Sequence, residues 1–192
     1  MLVFDYKRVF KIRILGEDMK KLNLGCGNDI KNGYVNLDIS KLPGVDVVWD
    51  INKLPLAFKK EEFDEIYCKD VLEHVVYIPL LRELHRILKK GGRIKIRVPH
   101  FTSKNLYSDP THKSGFSSET FTFFLKEHPR SYYFDFHFSK IKVYLEFDKK
   151  YYLFWNYLLE LIFNINWRLQ IFYELTPLRI FPANCLWITL TK

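Results

Sequence analysis

The stretch KLNLGCGNDIKNGYVNLDIS, residues 21–40, decides how the rest of the chain folds. Leu22 and Leu24 alternate with polar neighbours as a short strand does, and Gly25 and Gly27 end that strand in a tight turn. Val35, Leu37 and Ile39 alternate again, which predicts a second strand with Asp38 at its carboxyl end. Working outward, GVDVVWDI (44–51) gives a third strand on Val45, Val47 and Val48, and FDEIYCKD (63–70) a fourth on Phe63, Ile66 and Tyr67. In PLLRELHRILKK (79–90), Leu80, Leu81, Leu84, Ile87 and Leu88 fall at helical spacing, with Pro79 opening the helix and Gly91-Gly92 expected as its C-cap. A fifth strand, RIKIRVP, follows at 93–99. This order predicts a doubly wound α/β sheet whose ligand lies beyond the carboxyl ends of its strands.

A Gly-x-Gly turn lets backbone approach a ligand with no Cβ in the way. Alone it is a weak signal. Asp38 strengthens it, because an acid at the end of the next strand can accept hydrogen bonds from both ribose hydroxyls of an adenosine cofactor. Asp50, ending the third strand, is placed to accept one from an adenine amino group.

LNLGCG, NLDIS, WDINKLPL, CKDVLEHV and LHRILKKGGRIKIRVP occur in the order found in the class I S-adenosylmethionine-dependent methyltransferases, and over residues 20–100 the chain resembles the small members with an LEH segment after strand four. The resemblance implies a Rossmann-like, mostly parallel sheet with an antiparallel C-terminal edge hairpin and S-adenosylmethionine as cofactor. It also implies cofactor contacts from Asn23, Gly25, Cys26, Gly27, Asp38, Ile39, Asp50, Ile51, Lys69, Asp70 and His74. Two departures stand out. The acid that usually opens the first motif is Asn23, and only eleven positions separate Gly27 from Asp38. That spacing leaves little room for a three-turn helix, so a shortened first helix or a bare loop is expected. It also argues against a nicotinamide dehydrogenase.

The loop HFTSKNLYSDPTHKSGFSSETF (100–121) follows strand five and can close over the same sheet edge, with a helix expected from Ser117 or Ser118. Methyl transfer needs a base only where a hydroxyl or ammonium must lose a proton. His112, His100 and Asp109 are the candidates, with Asp109 placed to orient a histidine. The absence of an Asn-Pro-Pro-Tyr type segment after strand four argues against amino-methylation of a nucleobase, and no RNA-binding module is visible.

Further on, Phe134, Phe136 and Phe138 alternate with polar residues, as do Ile141, Val143, Leu145 and Phe147; both runs read as strands, and CLWITLT (185–191) as the last. Residues 151–175 read as an aromatic helical insertion in which Asn156, Glu160 and Asn164 form a narrow polar stripe. Glu160 and the asparagines disfavour a membrane span. Packing on the sheet or in a homodimer is the first reading, and peripheral contact with a membrane surface, helped by Arg168, the second.

Composition bounds the rest. A chain of 192 residues with 48% apolar content can bury a core without disulfides, and residues 1–192 read as a single domain. The three distant cysteines, with no Cys-x-x-Cys and no histidine at metal-ligand spacing, argue against a disulfide scaffold or a metal site and for a reducing, cytoplasmic setting. The first twenty residues read as one or two edge strands and not as a signal peptide. Nine of the aromatic residues precede position 101 and twenty-four follow it, so the second half is the part that varies with substrate. A small molecule, a saccharide or a glycolipid headgroup is the expected acceptor. The net charge of +8 motivates RNA or protein as the alternative acceptor, and Asn23 with the missing helix motivates a non-catalytic cofactor-binding or membrane-associated protein.

Overall fold

The structure, a computed structural model, describes residues 19–192. The edge strands read into the N-terminus therefore lie outside the described residues. Seven strands form one sheet in the order β3-β2-β1-β4-β5-β7-β6: β1 (Lys21–Leu24), β2 (Val35–Asp38), β3 (Val47–Val48), β4 (Phe63–Lys69), β5 (Leu88–Pro99), β6 (Lys140–Phe147) and β7 (Ala183–Thr191). The first five are parallel, and β7 runs antiparallel to both β5 and β6. Register carries Leu22, Ile66, Ile94 and Leu190 across one row and Leu24, Cys68, Ile96 and Ile188 across the next, all buried. Between β1 and β2, residues 25–34 form turns and no helix, so the expected shortened helix is a bare loop.

Helix α1 (Tyr77–Ile87) buries Leu80, Leu81, Leu84 and Ile87 against this core. It starts two residues before Pro79, whose missing N–H falls among those a first turn leaves unpaired anyway. Nor does Gly91-Gly92 cap it: β5 begins directly at Leu88 and carries both glycines. The ladder with β4 pairs Phe63 with Leu88 and then Glu65 with Arg93, so residues 89–92 bulge out. A Cβ on Gly92 would come within 2.9 Å of the Asp64 carbonyl, and glycine is there for close approach.

After β5 the chain makes a short helix α2 (Lys104–Ser108), N-capped by Ser103. The helix expected from Ser117 or Ser118 is only a 3-10 turn over Thr120–Phe124. The Phe134, Phe136 and Phe138 run is not a strand either; only an isolated bridge links Phe138 to Leu125. Spacing by two serves an aromatic cluster here. Phe116, Phe121, Phe124, Phe136 and Phe138 are buried and pack at ring distances such as 5.5 Å for Phe124–Phe136, while Tyr77 and His85 of α1 lie against Phe116 and Phe138 at 5.3 and 5.2 Å.

The 151–175 insertion breaks into α3 (Asn156–Phe163) and α4 (Trp167–Leu175), and none of the described helices is long and apolar enough to cross a membrane. Its polar stripe faces inward. Strand β6 is the sheet edge, and side chains of the insertion bond its open backbone: Asn164 to Leu145 N–H and C=O, Gln170 to Val143 C=O, Glu160 to Phe147 N–H.

Candidate functional site

Two adjoining cavities open beyond the carboxyl ends of β1, β4 and β5. The smaller, about 180 Å³, is lined by Asn23, the glycine turn, Asp29, Lys69 and Asp70. The larger, about 530 Å³, is lined by Asp70, Glu73, His74, Arg97, Asp109 and His112 among others. Asp70 forms the wall they share.

Gly25 turns at φ +63°, and a Cβ there would lie 2.6 Å from Val71 Cγ2, so only glycine fits. At Gly27 a Cβ would meet nothing within 4 Å, which leaves the turn open on that side. Gly27 N–H donates to Asp38 Oδ2 at 2.8 Å and Ser40 N–H to Oδ1 at 2.9 Å. The carboxylate is thereby fixed beside the turn, with acceptor capacity left on both oxygens for a diol. The Cys26 thiol is buried, and burial followed by the Asp38 charge pushes its pKa up, so it is no nucleophile. Ile39 does not continue β2; the strand ends at Asp38 and Ile39 is 64% exposed, an apolar surface beside the acid. Ile51 is half-buried at the core edge next to Asp50, whose carboxyl is held below the usual range by the Asn52 backbone N–H and then its side-chain amide.

Asn23 does not take the place of the missing acid. Its amide donates to the Asp29 carbonyl at 2.7 Å and to Asn36 Oδ1 at 2.9 Å, which spends both protons on holding the loop. Asp29 joins Asp70 as a carboxylate of the smaller cavity, 3.4 Å from Lys69, and nothing in the motif spacing singled it out. Arg97 was also missed. From β5 it donates to both oxygens of Asp70 at 2.8 Å and reaches Glu146, and so fixes the shared wall. These residues fit S-adenosylmethionine: an oriented acid for the ribose, an acid and apolar neighbours for the adenine, and a glycine turn with paired Asp29 and Lys69 for the amino-acid end.

His100 must be corrected. It is fully buried at the end of β5, with Nε2 3.0 Å from Glu174 and Nδ1 2.7 Å from Thr102, and it ties α4 to the sheet instead of facing a substrate. His112 and His74 do meet, with ring centroids 4.7 Å apart. Asp109 lies 3.9 Å from His112 Nε2, too far for the orienting hydrogen bond expected of it. Instead it accepts from Thr111 Oγ1 at 2.6 Å, and Thr111 Oγ1 lies 2.8 Å from His74 Nδ1. His112 Nδ1 is held by the Leu106 carbonyl at 3.1 Å. Burial, then the neighbouring His112, keeps His74 below the ordinary histidine range and so neutral at pH 7. Glu73 brings a carboxylate oxygen within 4.8 Å of a ring nitrogen of His74 and of His112, is 1% exposed with neither carboxylate oxygen hydrogen-bonded, and burial pushes its pKa up to about 7. It was legible only as the middle letter of LEH.

Residues 20–96 match the family model described as a methyltransferase domain. The chain is 33% identical over 93 residues to an uncharacterized protein of Methanocaldococcus jannaschii, a match covering 43% of this chain and 41% of that one, so it spans about two fifths of the curated relative. Among solved structures it resembles a SAM-dependent methyltransferase from Archaeoglobus fulgidus, with a TM-score of 0.58 at 18% identity over 91% of this chain and 86% of that one. It also resembles an S-adenosylmethionine-dependent methyltransferase from Mesorhizobium loti, with a TM-score of 0.53 at 13% identity over 91% of each chain. At such identity the likeness speaks for the fold, and it covers the second half as well as the first. Residues 20–96 thus match a methyltransferase domain, and the chain has the fold of the solved S-adenosylmethionine-dependent methyltransferases.

Proposed function

We propose that the chain, acting as a single domain, transfers a methyl group to a hydroxyl of a small molecule, a saccharide or a glycolipid headgroup. The observation that carries this is the shared Asp70 wall: Asp70 lines both the glycine-turn cavity and a larger cavity that the imidazoles of His74 and His112 also line. When bound, S-adenosylmethionine supplies an electrophilic methyl group. Asp38 would hold its ribose, Asp50 with Ile39 and Ile51 its adenine, and Asp29 with Lys69 its amino-acid end. His112 keeps its Nδ1 proton on the Leu106 carbonyl, which leaves Nε2 to accept the acceptor's hydroxyl proton as the O–C bond forms and the C–S bond breaks. Labelled-methyl incorporation into oligosaccharide, lipid-extract and RNA fractions tests the acceptor class; label confined to RNA would contradict it.

A second observation favours peripheral membrane contact through 151–175. With the polar stripe turned to β6, the outer surface shows Tyr157, Leu161, Ile165 and Trp167, each at least 60% exposed. Glu160 and Glu174, the carboxylates between Lys149 and Pro182, are both buried, so Lys150, Arg168 and Arg179 set the sign of the rim. Aromatic and aliphatic side chains edged by cations suit an anionic bilayer surface. Flotation with phosphatidylglycerol vesicles, lost in Leu161→Ser/Trp167→Ser, is expected. A stable dimer that ignores vesicles would overturn it and assign this face to a second copy. The three free, buried cysteines fit a reducing, cytoplasmic compartment.

A further inference from the structure

We infer that Glu73, His74 and His112 form a binding site for a divalent transition cation such as Zn²⁺. One donor atom from each lies within 4.8 Å of the other two. Spacing in the sequence does not show this site. Glu73 and His74 come from a 3-10 turn after β4, and His112 comes from the loop after β5, which folds back so that Lys113 N–H bonds the Glu73 carbonyl at 2.7 Å.

The first argument is the state of Glu73. It is 1% exposed, and both carboxylate oxygens are buried without a hydrogen-bond partner. Natural folds seldom leave a buried carboxylate unpartnered, since the cost of its lost hydration must be met by a donor, an opposite charge or a metal. Arg97, the guanidinium in the same cavity, is already paired with Asp70 and Glu146. A cation between Glu73 and the imidazoles would supply what Glu73 lacks.

The second argument is the orientation of the imidazoles. The Leu106 carbonyl can only accept, so His112 Nδ1 carries the proton and Nε2 a lone pair. Thr111 Oγ1 gives its single hydrogen to Asp109 and therefore accepts from His74 Nδ1, which leaves His74 Nε2 in the same state. A carbonyl on one ring and a carboxylate acting through a hydroxyl on the other are the outer partners that fix metal-ligating histidines. Two imidazoles and one carboxylate suit zinc and its neighbours and leave a coordination position open. Donors around Zn²⁺ stand about 3.3 Å apart, so the three need to close by up to about 1.5 Å.

That open position faces the larger cavity. For catalysis the inference rests on the acceptor reading above. With the Nε2 lone pairs spent on the cation, a cation-bound hydroxyl, made more acidic, would give its proton to water in the open cavity instead of to His112, and acceptors with neighbouring hydroxyls would be favoured because they can chelate. The binding claim stands without this step.

The test is a titration of chelator-treated full chain with Co²⁺, followed by visible absorption and by competition with Zn²⁺, with S-adenosylhomocysteine binding measured on the same samples. One Co²⁺ per chain with an intensified spectrum is expected. Affinity should fall at least ~10-fold in Glu73→Gln and His112→Asn, and about 10-fold in Thr111→Val, which touches no metal but releases His74. Zn²⁺ should raise the melting temperature of the wild type and not of Glu73→Gln. If Glu73→Gln does not fold, His112→Asn and Thr111→Val decide. A wild-type spectrum identical to aqueous Co²⁺, or variants that bind as well as wild type, would overturn the site. Loss of S-adenosylhomocysteine binding with Co²⁺ retained would count against the methyltransferase reading alone.

Discussion

Asn164 pairs with Leu145 as a neighbouring strand would: its side-chain carbonyl accepts the Leu145 N–H and its amide donates to the Leu145 C=O, each at 2.8 Å. Asn164 thus closes the open edge of β6 at Leu145, as Gln170 and Glu160 do at Val143 and Phe147, and this is why a polar stripe on an apolar insertion faces the protein. Asn164→Leu keeps the volume and orphans both backbone groups. Urea unfolding should show a loss of about 1–3 kcal/mol, and an unchanged midpoint and slope would refute the edge-capping role.

Gly25→Ala should abolish cofactor binding and lower stability. A methyl there meets Val71 Cγ2 at 2.6 Å, and the φ of +63° costs an alanine about 1–2 kcal/mol more. Val71→Ala added to it should restore part of the stability by removing the clash but not the backbone strain. Full recovery would show that the conformation of Gly25 carries no cost.

Arg97→Lys should weaken S-adenosylhomocysteine binding by about 10-fold, or about 1.4 kcal/mol, because an ammonium cannot span Asp70 and Glu146 as the guanidinium does, with Nη1 on Asp70 and Nε and Nη2 on Glu146. Calorimetry checks this. An unchanged Kd would mean that Asp70 is positioned by its backbone alone, where its N–H already bonds the Arg97 carbonyl.

Acid should destabilise the chain through His85, which is pushed down to about 4, first by burial and then by the Lys192 ammonium. The unfolded chain takes up this proton near pH 6.5, well before the folded one does. The stability due to neutral His85 is therefore whole above pH ~6.5 and is lost as pH falls from there towards 4. Unfolding free energies at pH 7 and 5 should converge in His85→Gln relative to wild type, and equal slopes would contradict the assignment.

The parallel half of the fold was readable because each strand signals itself locally: Leu22 and Leu24, Val35 and Leu37, and the acids that end the strands need no partner to be recognised. The glycine-turn cavity was legible for the same reason. What escaped depends on distant residues meeting. Phe134, Phe136 and Phe138 have strand periodicity but no free strand to pair with, and they fill an aromatic core instead. The polar stripe of 156–164 was visible, but its direction was set by the edge of β6. His100 looked like a base until Glu174, seventy-four residues on, proved to be its partner. Glu73 and His112 come together only through the fold of the loop between them.

The central claim is that Asp38 and the turn at Gly25 and Gly27 hold S-adenosylmethionine, and calorimetric titration of wild type and Asp38→Ala with S-adenosylhomocysteine tests it most directly. One site per chain in the wild type, weakened at least ~10-fold in a folded Asp38→Ala, is the predicted result. No heat of binding in the wild type, or equal affinity in the variant, would contradict it.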